Sequence, residues 1–116
     1  MRRHDHGKAA ERRACEFLQA REIRIIQRNY RIAGAEIDII ANDTQQRWLF
    51  IEVKYRQHQQ FAHVLAQVSV AQCQRIRHAA RCYLFQRQLP EHCCRIRFDL
   101  IVMTQQGTVD WLQDAF

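Results

Sequence analysis

The segment order helix, three strands, helix, two strands predicts an α/β layered domain built on a mixed central sheet of about five strands flanked by helices. Three observations carry that expectation. Residues 35–56 alternate apolar and polar side chains on either side of a polar turn, residues 5–21 and 69–88 repeat apolar side chains at helical spacing, and residues 94–112 return to strand character. At 116 residues the chain is expected to be one domain, 1–116, burying roughly two-thirds of its unfolded surface. A hydrophobic content of 47% with a single proline and three glycines excludes a disordered or low-complexity chain.

Taken in order, Asp5 is placed to cap a first helix running to about Arg21, with Ala10, Ala14, Cys15, Phe17, Leu18 and Arg21 on one face. Glu11 falls on that same face, where a carboxylate is unfavourable unless paired or ligating, so it is either a rim residue or a functional one. Residues 22–32 suit a strand, interrupted near 27–29. Arg24, Arg28 and Arg31 interleave with Tyr30 there, as a phosphate-binding edge or as a solvated strand face. Residues 57–60 read as a loop. The second helix begins near Ser69, where Gln72 completes a capping box, and runs towards Gln88 before Pro90. Its core stripe is Cys73, Ile76, Ala80, Tyr83 and Leu84. Arg75, Arg77, His78 and Arg81 flank it with no acidic residue between Ser69 and Gln88, giving an unscreened positive face that either contacts phosphates or is merely solvated. Residues 94–104 form the next strand, in which Asp99 either orients an arginine, joins the acidic site or, the reading preferred, makes a structural salt bridge; 105–107 turn, and 108–112 form a short edge strand.

The hairpin of residues 35–56 concentrates the chemistry. If it is symmetric about Gln45, Asp38 stands opposite Glu52 and Glu36 opposite Lys54, while Ile37 pairs with Val53 and Ile39 with Ile51 on the other face. Opposed strand residues have Cβ atoms roughly 5 Å apart, so two carboxylates there repel unless something positive lies between them. A divalent cation with oxygen ligands fits that spacing, and Mg²⁺ or Mn²⁺ held by Asp38 and Glu52 beside Lys54 is chemistry suited to phosphodiester hydrolysis. The same residues also make an ordinary surface ladder, Glu36 with Lys54 and Asp38 with Arg56, each pair contributing about 1 kcal/mol at most.

Eighteen lysines and arginines against twelve acidic residues leave a formal charge of +6, which makes nucleic acid the leading partner class. The start, MRRHDHGKAAERR, has charge but no following apolar run, so neither a secretory leader nor a membrane segment is expected, and a cytoplasmic location follows. Five cysteines without Cys-x-x-Cys spacing, in mostly apolar contexts, read as buried reduced thiols in preference to a disulfide framework or a zinc site.

The runs Glu36-Ile37-Asp38-Ile39-Ile40 and Phe50-Ile51-Glu52-Val53-Lys54-Tyr55-Arg56 resemble the YraN family of small bacterial proteins. The similarity extends to Gly7, Glu11, Ala14 and Leu18, to Asn29-Tyr30-Arg31, to Ala79-Ala80 with Leu84, to Arg97-Phe98-Asp99 and to the last eight residues, from Val109 to Phe116. The resemblance implies a restriction-endonuclease-like three-layer fold of the PD-(D/E)xK superfamily, similar to archaeal Holliday-junction resolvases. It further implies a metal-dependent endonuclease acting on branched or damaged DNA, or an inactive nucleic-acid- or partner-binding module on that fold, with a homodimer in keeping with the resolvases. Under it Glu11, Asp38, Glu52 and Lys54 form the catalytic set, with Asp38, Glu52 and Glu11 as ligands of Mg²⁺ or Mn²⁺. Arg31, Arg56, Arg75, Arg77 and Arg81 are the expected nucleic-acid contacts. Ala35 and Ala62 stand where the family usually has glycine, suggesting tighter backbone limits, and Gln72 where it usually has lysine, which removes one phosphate contact.

Overall fold

The computed structural model of the chain describes residues 3–56 and 68–116, with side chains described from residue 7. The expected loop at 57–60 and position 62 lie outside the described residues. Five strands, β1 (Arg24–Ile32), β2 (Ala35–Asn42), β3 (Trp48–Arg56), β4 (Ile96–Thr104) and β5 (Val109–Leu112), form one sheet in chain order. Every neighbouring pair is antiparallel except β3 and β4, which run parallel, so the sheet is mixed. A parallel pair needs a crossover, and helix α2 (Val70–Gln86) lies in it. Helix α1 (Arg3–Gln19) precedes the sheet.

The two helices cover opposite faces, giving three layers. Ala10, Ala14, Cys15 and Leu18 of α1 pack with Ile39, Leu49, Ile51, Ile101 and Met103. Ile76, Ala79, Ala80, Tyr83 and Leu84 of α2 pack with Tyr30, Ile37, Ile40, Phe50 and Phe98. Because β4 is covered on both sides, it is buried without interruption from Phe98 to Thr104, where a half-covered strand would alternate. The α1 stripe matches its spacing, with two corrections. Asp5 lies inside the helix instead of capping it, and Arg21 lies beyond its end, exposed, with its guanidinium 3.5 Å from the centroid of the Phe17 ring. On α2, Ala79 joins the buried stripe and Cys73 is only half-buried. All five cysteines are free, and of these only Cys15 is buried.

The capping box is realised at Ser69, whose Oγ accepts the Gln72 backbone N–H at 3.0 Å. Ser69→Ala is expected to lower stability by about 1 kcal/mol, measured by urea unfolding. The β2–β3 turn is organised by Asp43, whose Oδ1 accepts the backbone N–H groups of Gln45 and Arg47, both at 2.9 Å. Ala35 adopts ordinary strand backbone, so the tighter limit expected there is not felt; the left-handed positions of the preceding turn are Ala33 and Gly34.

Asp99 is fully buried and collects four hydrogen bonds. Arg97 donates to it twice through Nε and an Nη, Trp111 donates through Nε1, and the Asp114 backbone N–H donates to Oδ1, each at 2.9 Å. It ties β4 to β5 and to the residues that follow, as a salt-bridge partner with a wider role than sequence indicated.

Candidate functional site

The expected hairpin register is correct at its paired end. Ile39 faces Ile51, Ile40 faces Phe50, and the ladder runs to Asn42 opposite Trp48. Below Ile39 and Ile51 the two strands part, while β2 stays paired to β1 as far as Ala35 and β3 to β4 as far as Arg56. Asp38 stands at the split. Its Oδ2 accepts the Val53 backbone N–H at 2.8 Å, taking the place of a ladder carbonyl. The strict alternation expected for β2 fails here: Ile37 packs in the α2 layer and Ile39 in the α1 layer.

The neighbouring strand has a matching irregularity. The register of β1 against β2 shifts between Ile25 and Gln27, and Asn29 has a φ of +54°. Asparagine is among the few residues that tolerate that region. The anticipated interruption is thus a bulge and a left-handed residue inside a continuous strand. Its effect is to set Arg28 beside Glu11 of α1, while Tyr30, two residues on, packs against Tyr83 of α2. That Glu11 is reached from β1 was not legible in sequence; an asparagine amid strand formers was its one signal.

Three of the four expected site residues come together. The Asp38 and Glu52 carboxyls are within hydrogen-bonding range, and Lys54 Nζ lies 3.6 Å from Glu52 Oε1. Glu52 is buried, and that burial, reinforced by the charge and hydrogen bond of Asp38 and opposed by Lys54, pushes its pKa up to about 9. Glu52 is thereby held towards its protonated form, and its contact with Lys54 becomes a full ion pair only when that carboxyl ionises. Glu11 joins more loosely. Burial, then the charge of Asp38, raises its pKa to about 7 against the opposing pull of Arg28. Its Oε1 is buried without a hydrogen bond, 3.9 Å from an Arg28 Nη, too far for one. Asp38 is thus the residue to which both glutamates couple. Among the described residues, no group of three or more His, Cys, Asp or Glu side chains is disposed to hold a metal ion.

Glu36 and the arginines fall elsewhere. Glu36 does not face Lys54, because the strands have parted; it pairs with Arg31 at 3.5 Å. Arg75, Arg77 and Arg81 lie on α2, across the sheet from the α1 layer. The positive face of that helix is not unscreened, since Arg81 reaches Glu91 of the following 3-10 turn at 3.5 Å, and Arg77 stacks over the Phe98 ring at 4.5 Å. The Arg56 Nη1 donates to its neighbour, the Tyr55 carbonyl.

These features define an α/β domain of restriction-endonuclease-like layering, with an acidic pair and a lysine where two central strands divide. More particularly, residues 10–103 match the family described as "Uncharacterised protein family UPF0102", and the chain belongs to it. The YraN resemblance pointed to this same family. The UPF0102 protein of Idiomarina loihiensis is 47% identical over 111 residues, covering 95% of both chains. The UPF0102 protein of Nitrosococcus oceani is 39% identical, covering 97% of this chain and 91% of its own. Among solved structures, Pyrococcus furiosus SfsA in complex with Ca²⁺ is similar at a TM-score of 0.34 and 14% identity; the match covers 95% of this chain but only 63% of that one. A likeness of that size carries no argument. Among the described residues no helix is long and apolar enough to cross a membrane.

Proposed function

We propose that the protein is a nucleic-acid-binding module on the restriction-endonuclease-like fold, with DNA as its ligand. The observation that carries the reading is the engagement of the acidic pair within the fold, on a chain with an excess of six positive charges. Asp38 accepts the Val53 backbone N–H and Glu52 is buried beside Lys54, so the chemistry left for an approaching ligand is cationic, and a phosphodiester backbone answers it.

Metal-dependent hydrolysis of branched or damaged DNA is the second reading, favoured by Lys54 standing 3.6 Å from Glu52. The donor chemistry, though among the described residues not a three-carboxylate cluster, suits Mg²⁺ or Mn²⁺: hard carboxylate oxygens on Asp38 and Glu52 and an unpartnered buried oxygen on Glu11. Asp38 and Glu52 would hold the ion, with Glu11 coupled to Asp38. When bound, such an ion supplies Lewis-acid polarisation of a phosphoryl oxygen and a more acidic water. Lys54 would keep a fixed positive charge beside the developing phosphoryl charge.

The test measures binding by fluorescence anisotropy and cleavage by gel, with duplex, flapped and four-way-junction DNA in Mg²⁺ and in Mn²⁺. Wild type, Asp38→Ala and Glu52→Ala are expected to bind alike and to leave the DNA intact. Cleavage by wild type that both variants lose would replace the binding reading with the hydrolytic one.

A further inference from the structure

Two basic surfaces lie on opposite layers of the sheet, and they differ in how much of their charge is already engaged. On α2, Arg81 is paired with Glu91 and Arg77 is stacked on Phe98. On the α1 side, Lys8, Glu11, Arg12, Arg28 and Asn29 line an open cavity of about 410 Å³. Lys8 and Arg12 follow each other at one turn of α1, roughly 6 Å apart along its axis, and both are exposed. Among the described residues neither has a hydrogen-bond or ion-pair partner. Arg28 completes the cluster from β1. Among the described residues its ionic contact is with Glu11, at 3.9 Å too long for a hydrogen bond, which leaves guanidinium donors for an oxyanion.

The position of this cavity distinguishes it from the α2 surface. Glu11 lines it between Ala10 and Ala14 of α1, which pack with Ile39, the residue next to Asp38, so the cavity lies on the α1 side of the sheet. The left-handed Asn29 is what turns Arg28 to that side instead of leaving it with Tyr30. A ligand in this cavity meets Lys8, Arg12 and Arg28 directly, whereas the α2 arginines are separated from it by the sheet.

We infer that the cavity lined by Lys8, Arg12, Arg28 and Asn29 is a phosphate subsite, through which a nucleic-acid backbone passes over the α1 layer beside the carboxylate pair. The inference rests on the nucleic-acid-binding reading and specifies the face and residues that serve it. The Glu11 carboxyl, 3.9 Å from Arg28, leaves that guanidinium unsaturated.

Two variants that each remove two positive charges separate the layers: Lys8→Ala with Arg12→Ala on α1, and Arg75→Ala with Arg81→Ala on α2. Binding of a labelled duplex and a labelled single strand is measured by anisotropy over a range of salt concentrations, with inorganic phosphate as a competitor. The α1 variant is expected to bind about tenfold or more weakly at low salt, with the slope of log K against log salt reduced by about two. Arg12→Lys is expected to retain affinity, and the α2 variant to stay within about twofold of wild type. Circular dichroism of each variant checks that the fold is intact. Equal losses from both pairs, or loss from the α2 pair alone, overturn the subsite while the binding reading stands. Failure of wild type to bind any nucleic acid overturns both. Displacement by millimolar inorganic phosphate as effective as that by unlabelled DNA would reassign the cavity to a free anion.

Discussion

Asp99→Ala is expected to destabilise the domain by about 3–5 kcal/mol, the range for removing one member of a buried, hydrogen-bonded ion pair. The carboxylate is fully buried, and its loss strands the Arg97 guanidinium, the Trp111 indole N–H and the Asp114 backbone N–H together. Asp99→Asn keeps the volume but offers one acceptor oxygen for four donors, and is expected to cost about 2–3 kcal/mol. Trp111→Phe removes a single donor and is expected to cost about 1 kcal/mol, so the network stays measurable even if the alanine variant does not fold. Urea unfolding followed by tryptophan fluorescence gives the values for the Asp99 variants, with circular dichroism for Trp111→Phe. An Asp99→Asn loss within a few tenths of a kcal/mol would mean that the network contributes nothing. Because Asp99 anchors β5 and the segment after it, amide exchange at Trp111 and Leu112 is expected to accelerate beyond what the global destabilisation explains.

The second large effect is a pH dependence of stability set by the carboxyl pair. Burial and the neighbouring Asp38 push the pKa of Glu52 up to about 9 and that of Glu11 up to about 7 in the folded chain, against 4.5 for a free glutamate side chain. Both are raised, so the folded state binds more protons than the unfolded state between these values. The stabilisation is complete below about pH 4.5 and is lost as pH rises through 7 and then towards 9. Between pH 5 and pH 9 the loss is expected to be on the order of a few kcal/mol, read as a falling thermal midpoint. Glu52→Gln keeps a hydrogen-bond donor for Asp38 without the ionisation, so its midpoint is expected to stay flat from about pH 7 to 9 while wild type falls. A parallel decline in both would assign the pH dependence to other groups. Added Mg²⁺ or Mn²⁺ at pH 8 is expected to raise the wild-type midpoint if the ion takes the place of the Glu52 proton, and to leave Asp38→Ala unchanged.

Much of the fold was legible from the residues, because the patterns concerned are local. The helix stripes, the capping box at Ser69, the turn around Asp43 and the hairpin register between Ile39 and Ile51 each follow from spacing and side-chain type. That Asp38 and Glu52 lie near each other was legible from the same hairpin, although the β2–β3 ladder ends at Ile39 and Ile51, before the register that would pair them. The errors have a common origin. Strict alternation carried Glu36 to Lys54, but a strand pair that diverges at Asp38 ends the ladder before those residues meet. The α2 surface looked unscreened because its neutralising partner, Glu91, lies beyond the helix and reaches Arg81 only after the chain turns back. Asp99 was read correctly as a salt-bridge partner, yet two of its donors, Trp111 and Asp114, come from the β5 region and have no signature in the residues around it.

By itself, the sequence determined the class of the domain and the order of its elements, because periodicity and turn chemistry act over a few residues. Only the tertiary structure decided that the β2 and β3 strands part at Asp38, that Glu52 is buried beside Lys54, and that Arg28 joins Lys8 and Arg12 on the α1 side. Those outcomes depend on burial and on a left-handed Asn29 acting across strands far apart in the chain, and desolvation can be assigned only once the layers that exclude water are in place.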